Sequence, residues 1–171
     1  MIDKDKLIAN WGKLKDETKA LILALADKEI KEEYFVPKDR ETYWTSYINP
    51  DGTCSAIEYS YDGDAYDEYL IKINNCFRTR EEAIFYSICN YNIKRFEAYV
   101  DMRSKKLDWN NVNQPKYYIY YNFKKGDIGH SFSNLCKSQG TVYASSEQIL
   151  KDAINDIGEE NFLKYVMKVE A

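Results

Sequence analysis

The chain has little glycine, almost no histidine and no paired cysteines. It contains one histidine and seven glycines among 171 residues, so it has no Gly-rich phosphate loop, no Gly-x-Ser-x-Gly elbow and no His-Glu-x-x-His zinc motif. The four scattered cysteines form no Cys-x-x-Cys pair, and the sequence therefore predicts neither zinc nor another cofactor. We expect reduced thiols that behave as small apolar side chains. These cysteines are Cys54, Cys76, Cys89 and Cys136.

Long apolar runs and an excess of positive charge are also missing. The longest apolar stretch, residues 20–26, is too short to span a membrane, and the first residues are charged rather than apolar. These features predict a cytoplasmic protein. The net charge of −4 argues against a general nucleic-acid binder, although a local basic patch stays open. His130 beside Cys54 or Cys136 fits no nucleophile motif, so no enzymatic activity is expected.

Tyrosine is the residue in excess, with 16 copies against 7 phenylalanines and 3 tryptophans. Its side chain joins a large apolar ring to a polar hydroxyl, so it suits half-buried sheet positions and binding surfaces alike. Most of these tyrosines are expected to belong to an aromatic-rich sheet.

Residues 1–36 are predicted as a helical segment that precedes an α+β domain of residues 37–171. Apolar side chains recur along residues 3–33 in steps of three and four and form a narrow seam. Two interpretations stay open: the seam docks on the chain's own sheet, or it pairs with a second copy in a homodimer. The seam consists of Leu7, Trp11, Leu14, Leu21 and Leu25.

Two β-hairpins are predicted in the larger domain. Residues 43–48 and 53–61 are rich in strand formers. The turn between them, at residues 49–52, contains proline, which presets φ, and glycine, which accepts positive φ. Residues 117–132 repeat this pattern.

Each hairpin leads to a helix that opens with a capping box. Thr79 with Glu82, and Ser145 with Gln148, have the spacing at which two side chains satisfy each other's backbone N–H groups. In the first case a further strand, residues 70–73, is predicted before the helix.

The two passages match each other in sequence. Residues 43–52 align without a gap with residues 117–126, which places Tyr43 opposite Tyr117. The helices align without a gap as well. This match predicts a duplicated β-hairpin–strand–helix unit. Copy one comprises residues 42–104 and copy two comprises residues 116–168.

The predicted fold class is therefore α+β, an antiparallel sheet from the two duplicated units preceded by an N-terminal helix. Gly158 is expected to break the second helix, with residues 162–169 as a separate short one. Copy one has eight more residues between turn and cap, and the expected place of this excess is the acidic stretch at residues 62–69. Surface loops accept such insertions, so this stretch is the leading candidate for a specific surface.

The acidic stretch is the predicted contact surface for a partner. Carboxylates and tyrosines alternate from Glu58 to Tyr69 without a basic residue between them. Carboxylates along a rigid aromatic surface imitate a phosphate backbone or dock on a basic groove of another protein. The predicted contact residues are Glu58, Tyr59, Tyr61, Asp62, Asp64, Tyr66, Asp67 and Glu68.

Three of these carboxylates also resemble part of a cation-binding loop. Asp62, Asp64 and Asp67 have short, regular spacing, but the other ligands and the closing glutamate of an EF-hand are missing. We therefore expect a solvated loop and no metal.

The alternative surface is basic. Cations gather near the end of the first long helix, with a tryptophan after them, which suits single-stranded nucleic acid through charge and base stacking. Cations are also expected at any helix C-terminus, because they complement the helix dipole. The residues of this alternative are Lys94, Arg95, Arg103, Lys105, Lys106 and Trp109.

Residues 75–83 (NCFRTREEA) resemble the G-N-x-F-K-T-K-E-E-A segment of a family of small, largely uncharacterised proteins from phages and prophages of low-GC Gram-positive bacteria. The likeness covers about residues 40–168, with Asn74 where the family usually has glycine. The matching blocks carry no catalytic residues, so the resemblance implies no active site. Later blocks of the family resemble residues 108–121 (with DWNN and QPKYYIYY), 140–143 (GTVY) and 157–160 (IGEE).

The resemblance implies a phage accessory protein that works in the cytoplasm of a bacterial host. Such proteins often act by binding host machinery. The expected function is a non-enzymatic protein that binds a host protein, as an inhibitor of an antiviral defence system such as a CRISPR nuclease. The alternative is a nucleic-acid-binding phage accessory protein that uses the basic surface with Trp109.

Overall fold

The computed structural model describes residues 35–169, and the predicted N-terminal helix with its apolar seam lies outside them. The α+β class predicted from the sequence is confirmed. Within the described residues, the hairpins form two separate two-stranded sheets. The elements are β1 (Thr42–Ile48), β2 (Cys54–Ser60), α1 (Ala65–Lys72), α2 (Arg80–Arg103), β3 (Lys116–Asn122), β4 (Asp127–Ser133), α3 (Glu147–Ile157), α4 (Glu159–Asn161) and a π-helical turn (Phe162–Val166).

The chain divides into two compact units, and the division cuts through the first hairpin. Of the described residues, 35–45 and 57–80 belong to the first unit, and 46–56 and 81–169 belong to the second. The base of the β1–β2 hairpin therefore lies in the first unit and its tip in the second.

The first unit is built on the base of the first hairpin. Trp44 and Phe77 exchange two backbone hydrogen bonds of 2.9 and 2.8 Å, so the segment before α2 pairs with the free edge of β1. The buried core side chains are Tyr43, Leu70 and Cys76, against which Phe35, Tyr59, Tyr61 and Ile71 pack.

The strand predicted at residues 70–73 is wrong, because residues 65–72 form the helix α1. Asp64 caps this helix, and its Oδ1 accepts hydrogen bonds of 2.8 Å from the N–H groups of Tyr66 and Asp67. A four-residue segment with three apolar side chains is too short to distinguish a strand from a helix by its pattern. The cap at Asp64 stabilises the helix instead.

The second unit has the larger core, formed where the β3–β4 hairpin packs on α3. Tyr117 pairs with Phe132 and Ile119 with His130 in an antiparallel register, so Tyr117 and Ile119 share the face that packs on this core. The buried core side chains are Phe96, Val100, Ala144, Leu150, Ala153, Ile154, Ile157 and Phe162.

Both hairpins make the same bridge to the segment before the following helix, but the predicted alignment is one residue off at that point. Trp44 bridges Phe77, and Tyr117 bridges Ala144. Trp44, rather than Tyr43, is therefore the counterpart of Tyr117. At the turns the alignment holds, since the matched glycines at positions 52 and 126 both have positive φ, at 85° and 73°.

The capping boxes differ in outcome. α2 begins directly after Thr79, as the first box predicts. The second box is wrong by one residue, because the N-cap of α3 is Ser146, whose side chain makes no capping hydrogen bond. The Ser145 hydroxyl instead accepts a 3.0 Å hydrogen bond from the N–H of Lys105.

The expected break at Gly158 is confirmed. α3 ends at Ile157, and Gly158 has φ 88° and ψ 130°. The chain continues into a π-helical turn, in which the N–H of Met167 bonds to the carbonyl of Phe162 at 3.0 Å.

Candidate functional site: the acidic tyrosine face

The predicted contact stretch folds as the end of β2, a short loop and α1, all in the first unit. Copy two has no such helix, because residues 134–146 between β4 and α3 are irregular. The helix that copy two lacks, residues 65–72, overlaps most of the stretch 62–69 where the excess of copy one is predicted. This part of copy one is an ordered helix of eight residues rather than an irregular loop.

Asp67, which the sequence places on the contact surface, is buried, with 4% of its surface exposed. Its Oδ1 accepts a hydrogen bond of 2.5 Å from the Tyr43 hydroxyl. Its Oδ2 accepts bonds of 2.8 and 3.0 Å from the N–H groups of Asp62 and Gly63. This placement corrects its assignment as a contact residue, because both oxygens already serve the interior of the unit.

The electrostatics of this pair follow from its geometry. Burial raises the pKa of Asp67, but the hydrogen bonds from Tyr43, Asp62 and Gly63 outweigh that effect and lower the pKa below its usual range. Burial, followed by the hydrogen bond to Asp67, raises the pKa of Tyr43. Asp67 is therefore a buried carboxylate and Tyr43 a neutral donor at neutral pH.

The loop carboxylates at positions 62, 64 and 67 lie close together, with ligand oxygens within 4.8 Å of one another. Each of them already accepts backbone hydrogen bonds. Asp62 Oδ1 takes the N–H of Asp64 at 3.0 Å, while Asp64 and Asp67 make the bonds described above. The fold of the loop accounts for this cluster, and we assign no metal to it.

A row of tyrosine rings runs from the core of the first unit to its surface. Tyr43 stacks on Tyr59 at 5.7 Å between ring centroids, and Tyr59 contacts Tyr66 at 5.6 Å. Tyr66 contacts Tyr69 at 6.5 Å. These last two side chains are 48% and 54% exposed, so the row ends in open aromatic surface.

The structure adds Tyr69 to the residues predicted for this surface. On a helix, positions three apart share a face, which brings Tyr66 and Tyr69 together. Exposed Ile73 follows at the end of α1. The sequence places Tyr66 and Tyr69 in the acidic stretch, for which a loop is predicted, and a loop gives no helical spacing that would bring the two rings together.

A further carboxylate, that of Glu68, completes the surface. The Tyr61 hydroxyl donates a 3.1 Å hydrogen bond to Glu68, which raises the pKa of Tyr61. Glu58 is exposed on β2, but side chains of neighbouring strand residues point to opposite faces, so Glu58 lies on the other side of the strand from Tyr59 and is not part of this surface. We call the whole set the acidic tyrosine face: Tyr59, Tyr61, Asp62, Asp64, Tyr66, Glu68 and Tyr69.

The basic surface predicted as the alternative lies in the second unit, where several of its cations have partners. The Lys94 ammonium lies 2.7 Å from the Glu97 carboxylate. The Arg95 guanidinium lies 2.9 Å from the Asp156 carboxylate and donates to the Asp156 carbonyl at 2.6 Å. Arg103 also has a partner within the fold, described next.

The guanidinium of Arg103 lies 3.7 Å from the ring centroid of Tyr99. Lys105 and Lys106 are exposed. The Trp109 ring is half-buried and meets the Tyr143 ring edge-on at 5.0 Å. The surface thus offers fewer free cations, and a less open ring, than its sequence indicates.

Comparisons with known proteins identify no relative, since no family model, no curated protein and no solved structure matches the chain. Within residues 35–169, no helix has the combination of length and apolar content that crossing a bilayer requires.

Proposed function

We propose that this protein is a non-enzymatic binding protein whose acidic tyrosine face docks on a basic surface of a partner protein. The exposure of Tyr66 and Tyr69, 48% and 54%, on a helix that copy two lacks is the observation that carries the proposal. Tyrosines at an interface supply contact area, and carboxylates around them select a basic partner and steer its approach.

Hydrogen bonds within the fold hold the acidic tyrosine face in one conformation, and this also supports binding. Asp64 caps α1, and Asp67 holds the preceding loop through two backbone N–H groups. A surface that is ordered before association loses less conformational entropy when the partner arrives. The buried carboxylate therefore contributes to binding by positioning, although it does not contact the partner.

The partner in this proposal is a protein of a bacterial host, encountered in the cytoplasm. The resemblance of residues 75–83 to phage and prophage proteins supports this origin. A defence nuclease such as a CRISPR effector holds nucleic acid in a positively charged channel. The charge and the aromatic surface of the acidic tyrosine face suit such a channel, so the proposed role is inhibition of a defence nuclease.

The test compares two surface variants with two matched controls. Tyr69→Ala removes an exposed ring of the face, and Glu68→Lys reverses one of its charges. Phe123→Ala and Glu160→Lys make equivalent changes at exposed positions of the second unit. Tagged proteins are used for affinity capture from host lysate with quantitative mass spectrometry. The affinity of each captured protein is then measured with purified components.

The expected result is a host protein that binds the wild type and both controls. Its affinity should fall at least tenfold with Tyr69→Ala and with Glu68→Lys. A partner that binds all five proteins equally would remove the acidic tyrosine face from the proposal. Loss of binding in Phe123→Ala or Glu160→Lys alone would move the interface to the second unit.

The nucleic-acid alternative stays a prediction with its own test. It requires binding of labelled single strands that weakens steeply with added salt, because counterions are released from the phosphates. Lys105→Glu with Lys106→Glu should then abolish the complex. Absence of a mobility shift at low salt would contradict this alternative.

A further inference from the structure

A cavity in the second unit lies between the end of α2 and the segment that precedes α3. Its volume is about 310 Å³, and a neighbouring cavity of about 420 Å³ shares four of its lining residues. Both volumes fall at the lower end of the range of roughly 300–1,000 Å³ that small-ligand sites occupy. The two cavities together form a groove open to solvent.

The first of the two cavities has a distinct set of lining residues. Asp101, Trp109 and Tyr143 line the first cavity alone, whereas Glu97 and Lys137 line both. The first cavity therefore combines carboxylates with two aromatic rings, and the cation Lys137 lies where the two cavities meet.

Asp101 supplies an available negative charge. Glu97 and Asp101 are four residues apart on α2, which places them on one face of the helix. Glu97 is paired with Lys94 at 2.7 Å. Asp101 is exposed and has no hydrogen bond or ion pair with any residue of the described range 35–169.

The aromatic side of the cavity is held in place by ring contacts and one hydrogen bond. The Trp109 and Tyr143 rings meet at 5.0 Å and 86°. The Tyr143 hydroxyl accepts a 3.0 Å bond from the N–H of Ser138. The ammonium of buried Lys116 lies 5.3 Å from the Trp109 ring centroid, so this ring already stabilises one cation within the fold.

We infer that this cavity binds the guanidinium group of an arginine side chain from a polypeptide. A guanidinium is planar, so it stacks on an aromatic ring and at the same time pairs with a carboxylate through two N–H groups. The Trp109 and Tyr143 rings with the free carboxylate of Asp101 provide both partners. Phosphate ligands are disfavoured, because the two carboxylates of the lining, Asp101 and Glu97, outnumber its one cation, Lys137.

The experiment titrates the protein with the peptide acetyl-Gly-Arg-Gly-amide, whose only charge is the guanidinium. The signal is the indole N–H of Trp109 in a proton–nitrogen NMR spectrum, assigned by its absence in Trp109→Phe. We expect a saturable shift with millimolar affinity. The affinity should weaken at least fivefold with Asp101→Asn, and also when citrulline, which has the same shape without charge, replaces arginine. Glu160→Gln, which lines neither cavity, is the matched control and should bind like the wild type.

Three results would overturn the inference: a shift that does not saturate, equal binding of the citrulline peptide, or unchanged affinity in Asp101→Asn. Because Asp101 is exposed, its substitution is expected to leave the fold intact, and the same spectrum checks this directly. Asp101 does not belong to the acidic tyrosine face. The failure of this inference and the failure of the proposed function are therefore separate outcomes.

Discussion

At the scale of single residues, Asp67 joins three segments of the first unit. It belongs to α1, it accepts the Tyr43 hydroxyl of β1, and it accepts the N–H groups of Asp62 and Gly63 in the loop. Tyr43 is fully buried. Removal of the carboxylate would leave the Tyr43 hydroxyl without its acceptor in the interior, and such a loss costs more than an exposed hydrogen bond.

Replacement of Asp67 should destabilise the protein. We expect Asp67→Ala to lower the free energy of unfolding by about 1–3 kcal/mol, the typical cost of leaving a buried polar group unsatisfied. Urea denaturation followed by circular dichroism measures this change. Glu58→Ala, at an exposed carboxylate of the same unit, is the control and should change stability by less than about 0.5 kcal/mol. Equal effects of the two substitutions would contradict the role given to Asp67.

The contribution of Asp67 should also depend on pH. Because hydrogen bonds lower its pKa in the folded protein, its contribution is fully present above the unfolded pKa of about 3.9. That contribution is lost as the pH falls through the lower folded value. Urea denaturation at pH 7, 5 and 3 should show that the stability difference between wild type and Asp67→Asn is constant from pH 7 to 5 and smaller at pH 3. A stability difference between the two proteins that is largest at pH 3 would contradict a lowered pKa of Asp67 in the folded protein.

At the scale of elements, the two copies show what local pattern predicts well. Both hairpins and the start of the long helix α2 follow from strand formers, turn glycines and the capping-box pattern at Thr79. The helix α1 does not follow, because the short segment at residues 70–73, with three apolar side chains, fits a strand equally well. The second capping box also fails, since Ser145 bonds to Lys105 from a segment distant in sequence. Contacts between distant segments decide such cases.

Gly158 is the element boundary that offers a direct test. Its φ of 88° with ψ of 130° is a backbone conformation that residues other than glycine rarely adopt. Gly158→Ala should therefore lower the free energy of unfolding by about 1–3 kcal/mol. Thermal denaturation measures this change. Asn155→Ala, at an exposed position of the helix before Gly158, is the control and should have little effect on stability. If Gly158→Ala proved as stable as the wild type, the helix break would not depend on this backbone conformation.

At the scale of the whole molecule, the units of the structure do not coincide with the copies of the sequence. Residues 46–56, the tip of the first hairpin, belong to the second unit together with nearly all of α2. The Ser87 hydroxyl there donates a 2.7 Å hydrogen bond to the carbonyl of Tyr47. Sequence similarity groups residues that share local structure, whereas compact units are defined by packing between distant segments.

Cysteine reactivity reports on both units at once. Burial raises the pKa of Cys76, in the first unit, to about 11, and burial also raises that of Cys89, in the second. Cys136 is exposed. Alkylation at pH 7.5 with peptide mass spectrometry should label Cys136 first. Cys76 should react at least about a hundredfold more slowly than a thiol of ordinary pKa 9.0, because its raised pKa makes its thiolate rarer by that factor and its sulfur is covered.

Labelling in increasing urea supplies the control for this prediction. Loss of protection at Cys76 and Cys89 should follow the unfolding measured by circular dichroism. Rapid labelling of either cysteine in the absence of urea would show that the core around it is open in the native protein.

The sequence by itself determined the local features of this protein. Turn glycines, strand formers, the capping-box pattern at Thr79 and the glycine at position 158 act through backbone preferences of a few neighbouring residues, so the sequence predicts them directly. Only the tertiary structure decided which acidic residues face solvent. Asp67 and Glu68 are adjacent and chemically alike, but one is buried against Tyr43 and the other is exposed. The orientation of α1 separates them, and that orientation is set by packing between segments distant in the chain.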